Sequence, residues 1–172
     1  MRPLRPLMLS LAQELGADVE YARPLDNRRY LTGVEIGLFV AVGVVVRFMD
    51  GYFDGLIKKQ GEKLGEEHAK TIGRKIRRLR DRISPRQEHT ATEAVAVTQE
   101  VEQDLAQVLE EMLRLLKEKG FHSVAEDRSA LTSDISAFLV EQGFPPEVAA
   151  ERAPSLIVPI EKFLAKEQAV QA

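Results

Sequence analysis

Gly37-Leu-Phe-Val-Ala-Val-Gly-Val-Val-Val46 is the stretch whose reading decides the fold. Its β-branched residues Val40, Val42, Val44, Val45 and Val46, with Val34 and Ile36 just before, favour a strand on propensity. Asp50-Gly51 and Asp54-Gly55 could then be turn dipeptides. Two patterns point to helix instead. The segment from Val34 to Phe48 is long for a strand of about 5–6 residues. Arg47, Asp50, Asp54 and Lys58 recur at i, i+3, i+7 and i+11, which stacks opposite charges along one helical face. Helix is the better reading.

Continued as a helix, the same stretch places Gly33, Gly37, Gly43, Gly51, Gly55, Gly61, Gly65 and Gly73 within an arc of roughly 120°. Each exposed helical glycine costs up to about 1 kcal/mol relative to alanine, so a face of them calls for compensation by close packing. Gly33/Gly37, Gly51/Gly55 and Gly61/Gly65 also have the small-xxx-small spacing that brings helices together in membranes. The uninterrupted apolar run has only ten residues, whereas a spanning helix needs about 20. Extending it takes in Glu35, Arg47, Asp50 and Asp54, so a lone spanning helix is disfavoured.

Downstream, Leu64, Ile72, Ile76, Leu79 and Ile83 form a narrow apolar stripe with His68 on the same line. Basic residues cover most of the remaining surface: Lys70, Arg74, Lys75, Arg77, Arg78, Arg80, Arg82 and Arg86. Ser84-Pro85 should stop this helix. Ala94, Thr98, Val101, Leu105, Val108, Met112 and Leu115 then fit a 3-4 seam on a helix from about 92 to 119, closed by Gly120. Ser123 to Glu126 form a capping box. The following helix should bury Leu131, Ile135, Phe138 and Leu139 and end at Gly143, with Phe144 anchoring the corner. Pro145-Pro146 can open another helix, which Pro154 and Pro159 are expected to interrupt, leaving a cluster of three small helices. Before the decisive stretch, Leu7 to Leu15 suggest a short helix ending at Gly16, Ala17 to Ala22 a short strand, and Pro24 with Asp26-Asn27 a turn.

The chain therefore reads as mainly α. It divides into an N-terminal α/β or irregular cap (1–32), a long helical hairpin of about 34–83 and 92–119 within 33–120, and a C-terminal small-helix cluster (121–172). Its 172 residues suffice for one core, and 44% hydrophobic with 30% charged residues is a globular composition. The absence of cysteine excludes disulfides and thiolate metal sites and suits a reducing, cytoplasmic setting. The N-terminal apolar segment is too short for a convincing secretory signal.

A net charge of −3 hides a polarity: residues 1–86 carry +6 and residues 87–172 carry −9. The simplest consequence is attraction between the halves, within one chain or between copies. No catalytic, dinucleotide or phosphate-loop signature occurs, and His68, His89 and His122 lack ligand spacing, so neither enzyme nor cofactor is expected. What remains is surface. Helix packing and self-association fall to Gly33, Gly37, Gly43, Gly51, Gly55, Gly61 and Gly65, which makes the chain a candidate homo-oligomer. Binding of an anionic membrane surface falls to Lys70, Arg74, Lys75, Arg77, Arg78, Arg80 and Arg82. The functional expectation is a non-enzymatic self-associating protein at or near a membrane. The alternative is a soluble scaffold or adaptor holding a protein partner on its C-terminal cluster. Nucleic acid is disfavoured because the patch has no interleaved aromatic and the chain is acidic, with a pI near 5.7. Far-ultraviolet circular dichroism should give a helix-dominated spectrum; a strand-dominated one would overturn the reading of residues 34–46.

Overall fold

A computed structural model describes residues 4–16, 33–83, 91–120 and 128–171. Its elements are α1 (Arg5–Gly16), α2 (Gly33–Leu64), α3 (Glu66–Arg82), α4 (Ala91–Glu118), α5 (Arg128–Glu141) and α6 (Pro146–Gln171). Among the described residues there is no strand. The expected strand at 17–22, the turn after it, the Ser84-Pro85 stop and the 123–126 capping box lie outside them.

The β-branched run is helical because it is buried. Ala41 to Met49 are all buried, and α2 packs against each of the other five helices. A helix that is apolar all round is stable only at the centre of a bundle, and there burial outweighs the weak strand preference of valine. At roughly 1.5–3 kcal/mol for each large side chain removed from water, Phe39, Phe48, Met49 and Phe53 dominate that balance.

The segment 34–83, expected as one long or broken helix, breaks at Gly65, where φ is +81°. Only glycine takes that conformation without steric cost, so the chain reverses there. Glu66 and Glu67 restart the helix in the first turn of α3, where carboxylates oppose the helix dipole, and Arg80 and Arg82 complement its other end. Consequently α3 lies antiparallel on α2: Gly73 faces Ile57, and Arg80 reaches Asp50. The hairpin is thus α2 with α3, not 34–83 with 92–119. Helix α4 runs antiparallel to α3, tied to it by Lys75–Glu111 and Arg82–Asp104. His68 is exposed, because the buried stripe of α3 runs through Ala69, Ile72, Ile76 and Leu79.

The C-terminal part also differs from expectation. Helix α6 runs through Pro154 and Pro159 without interruption, so the segment forms one hairpin with α5 rather than three small helices. Proline inside a helix costs about 3 kcal/mol, and here Ala153, Leu156, Ile157, Ile160 and Leu164 bury a continuous stripe that offsets it. Gly143 (φ +101°) ends α5. There the Phe144 N–H donates to the Leu139 carbonyl at 3.1 Å while the Phe144 ring is buried, which is a Schellman-type cap. The α5/α6 pair shares the core of α2: a single apolar cluster takes in residues from all six helices.

Two glycines of α2 make this possible. A Cβ on Gly43 would lie 2.6 Å from Phe138 Cε1 and 3.0 Å from Ile83 Cγ2, and one on Gly51 would collide with Leu131 Cδ2. Helix α5 therefore rests on α2 with its large side chains set against bare backbone. Gly55, by contrast, has nothing within 4 Å of where its Cβ would be. In thermal melts, Gly43→Ala should destabilise by about 1–3 kcal/mol through overpacking. Gly55→Ala should stabilise by about 0.5–1 kcal/mol by reducing the freedom of the unfolded chain. Equal shifts of the same sign would show that the two glycines are not differently used.

Candidate functional site

The glycine face expected to mediate self-association is covered within the chain at Gly37 and Gly43, while Gly51 remains exposed beside its α5 neighbour. Gly37 lies against Ala12 of α1, with 3.4 Å between Cβ positions, and Gly43 and Gly51 lie under Phe138 and Leu131 of α5. Gly65 is the reversal point, and both it and Gly55 have nothing within 4 Å of where a Cβ would stand. Gly33 and Gly61 fall in α2, where their surroundings are not among those described.

Four of the seven expected surface-binding cations are held in ion pairs. Lys70 pairs with Glu66 at 2.7 Å within α3. Lys75 reaches Glu111 of α4 at 3.0 Å, and Arg82 reaches Asp104 and Glu100 of α4 at 2.7 and 2.8 Å. Arg80 clamps Asp134 of α5 through both terminal nitrogens, at 2.9 and 3.1 Å, and holds Asp50 of α2 at 2.8 Å. With Arg5–Glu102 joining α1 to α4, the basic half meets the acidic half inside the bundle. Arg74, Arg77 and Arg78 make no ion pair among the described residues. They are exposed, and Arg74 is steadied by the Lys70 carbonyl and the Thr71 hydroxyl, both at 3.4 Å.

Two of those three arginines stand over a groove. Asp50, Phe53, Asp54 and Ile57 recur at i, i+3, i+4 and i+7 and form its α2 wall. Lys70, Gly73, Arg74, Ile76 and Arg77 form the α3 wall, and the volume enclosed is about 350 Å³. Phe53 and Ile76 are buried beneath it, Ile57 is half-exposed, and Gly73 contributes no side chain. The carboxylates are already engaged, Asp50 with Arg80 and Asp54 with Lys58 at 2.9 Å. The groove thus has an apolar floor, a neutralised acidic wall, and a basic wall with free charge. The sequence announced Arg74 and Arg77 as basic but could not place Phe53 and Ile57 opposite them, because that juxtaposition depends on the reversal at Gly65.

At one end of the groove sits a charged cluster. Arg47, expected on a helical face of stacked opposite charges, is only 5% exposed. Its guanidinium lies 3.8 Å above the Phe138 ring and donates to the Gly43 carbonyl at 3.4 Å. Burial, helped by the charge of Arg80, lowers its pKa to about 10, against the pull of Asp134, Glu141 and Asp50. Arg80 is the opposite case. Burial alone would lower its pKa, but Asp134 and Asp50 outweigh it and hold the guanidinium above its ordinary value. Among the described residues no group of three or more His, Asp or Glu is placed to hold a metal ion. None of their helices is long and apolar enough to cross a membrane.

Compared with protein-family models, with characterised proteins and with solved structures, the chain matches none.

The two arginines of the cluster should respond differently to removal. Arg80→Met leaves Asp50 and Asp134 partly buried and unpaired, and should cost about 2–3 kcal/mol in denaturant unfolding. Arg47→Met should change stability by less than about 1 kcal/mol, or raise it, because a desolvated cation is replaced by an apolar chain of similar length. The sign follows from linkage. Stability from a depressed pKa is fully present only above the ordinary arginine value and is lost as pH falls through about 10, so charged Arg47 is a net cost at neutral pH. A larger loss for Arg47→Met than for Arg80→Met would reverse this assignment.

Proposed function

We propose that the protein is a non-enzymatic helical scaffold or adaptor that engages a protein partner through the groove between α2 and α3. The observation that carries this reading is the pair Arg74 and Arg77, charged and without ion-pair partners among the described residues, standing over an apolar floor of Phe53, Ile57 and Ile76. Open two-turn grooves between helices suit the apolar ridge of another protein segment. The lining includes no imidazole, hydroxyl or thiol, and both of its carboxylates are engaged in ion pairs, which is poor provision for acid–base or nucleophilic work.

The other readings have less support. A membrane-surface role would draw on the α3 cations, yet Lys75, Arg80 and Arg82 face acidic partners on α2, α4 and α5. Self-association through the glycine face would draw on Gly37, Gly43 and Gly51, whose neighbours are α1 and α5. Among the described residues, a partner site on the C-terminal helices has only Val140 and Val158 as exposed large apolar residues, and scattered single residues of that kind are ordinary on any surface.

The test combines two measurements. A photo-crosslinking amino acid at Ile57, and separately at Val158, is expected to give a discrete protein adduct in cells from Ile57 and none from Val158. Flotation with phosphatidylserine-containing vesicles is expected to leave the protein unbound at physiological salt. Lipid adducts at Ile57 with strong flotation would replace the adaptor with a membrane-surface protein. Adducts only between copies of this chain would replace it with a self-assembling one.

A further inference from the structure

The groove is asymmetric, and the asymmetry specifies an occupant. Resting on the adaptor reading, we infer that the partner segment is an acidic amphipathic helix, seated with its apolar ridge on Ile57 and its carboxylates on Arg74 and Arg77. Three features of the groove carry this.

The first is length. Asp50 to Ile57 and Lys70 to Arg77 each span two turns, roughly 10 Å of helix, on antiparallel elements. A third helix laid along them would seat one or two large apolar side chains at i and i+3 or i+4. Gly73 sets the depth: a Cβ there would stand 3.3 Å from Ile57 Cδ1, so glycine keeps the floor low and the α2/α3 spacing close.

The second is charge. Asp50 and Asp54 are compensated by Arg80 and Lys58, and Lys70 by Glu66, so the uncompensated charge on the rim is that of Arg74 and Arg77. These arginines lie three residues apart on one face, about 5–6 Å between Cβ atoms. That spacing matches carboxylates one turn apart on a facing helix, and each guanidinium can take a carboxylate through two parallel N–H donors.

The third is what the groove does not suit. A volume near 350 Å³ with an open side is at the lower limit for enclosing a small molecule. A second copy of this chain would have to present an acidic ridge from some other part of its surface. Such a contact is not self-complementary and would build rings or open-ended arrays rather than a two-fold dimer.

The probe is a fluorescent, helix-stapled Leu/Glu peptide of about four turns, with Leu at i, i+3, i+4 and i+7. Fluorescence anisotropy with the full chain reads its binding. Saturable binding is expected, weakening as salt rises, with a scrambled peptide of the same composition binding roughly tenfold more weakly or worse. Arg74→Glu/Arg77→Glu should weaken binding by roughly tenfold or more, and Gly73→Leu should do so with the basic wall intact. Arg78→Glu, outside the groove lining, should change it less than about twofold. Thermal melts must show each variant folded; should Gly73→Leu unfold the protein, the charge variants still decide. The inference is overturned if the ordered and scrambled peptides bind alike, if neither binds, or if Arg78→Glu weakens binding as much as the double variant. Recruitment of the wild type to phosphatidylserine vesicles through Arg74 and Arg77, without peptide binding, would overturn it as well. Peptide failure beside a persistent Ile57 protein adduct would discard the acidic helix and keep the adaptor; loss of both would discard both.

Discussion

A helix buried on every side must be touched on every side, and this requirement on α2 governs the rest of the bundle. Five helices have to approach one cylinder, and side chains of ordinary size on both surfaces would hold some of them too far out. The chain resolves the crowding by removing side chains from α2 where α5 brings its largest ones. Phe138 sits over Gly43 and Leu131 over Gly51, so α5 is registered on α2 by two bulky residues on bare backbone. Close-packed interiors tolerate few alternatives to such a fit. The register then brings Asp134 to Arg80, and with it the third, second and fifth helices are joined through one guanidinium.

Charge follows the same geometry. The bundle buries apolar surface without regard to sign, yet its two halves carry opposite net charge. Antiparallel placement of α4 on α3 sets Glu111, Asp104 and Glu100 opposite Lys75 and Arg82. Each of these partly exposed pairs contributes little to stability, about 0–1 kcal/mol. Their larger effect is selective: they leave Arg74, Arg77 and Arg78 as the part of the basic helix still open to an outside anion. Polarity that could be read from composition as a partner's address is in large part an internal complementarity.

Local periodicity made much of this fold legible. The seam from Thr98 to Leu115 and the stripe from Ile72 to Ile83 are buried as their spacing implies, and Leu131, Ile135, Phe138 and Leu139 likewise. The reversal at Gly65 was not legible, for a physical reason. A glycine in helical phase and a glycine at φ +81° are the same residue in the sequence, and only tertiary packing selects between them. The groove inherits that blindness, since Ile57 and Arg74 become neighbours only after the chain turns. Pro154 and Pro159 misled for the converse reason. Their local cost was visible, while the buried stripe from Ala153 to Leu164 that outweighs it depends on α1, α2, α4 and α5 being in place.

That dependence has a consequence for how the chain acquires its shape. Each proline lacks the N–H that would have closed a bond to the carbonyl four residues earlier, so the carbonyls of Ala150 and Ser155 are freed, and both residues are exposed. Water can satisfy these groups, but α6 gains nothing from them and is a weak helix by itself. It also packs against α1, from which four of the described helices separate it along the chain. Contacts so distant in sequence form after local ones, because the closure entropy of the intervening chain must be met first. The bundle is therefore sealed late: α1 cannot be fully covered until α6 has been made and has docked, and until then the apolar face of the first helix stands open to whatever else is near.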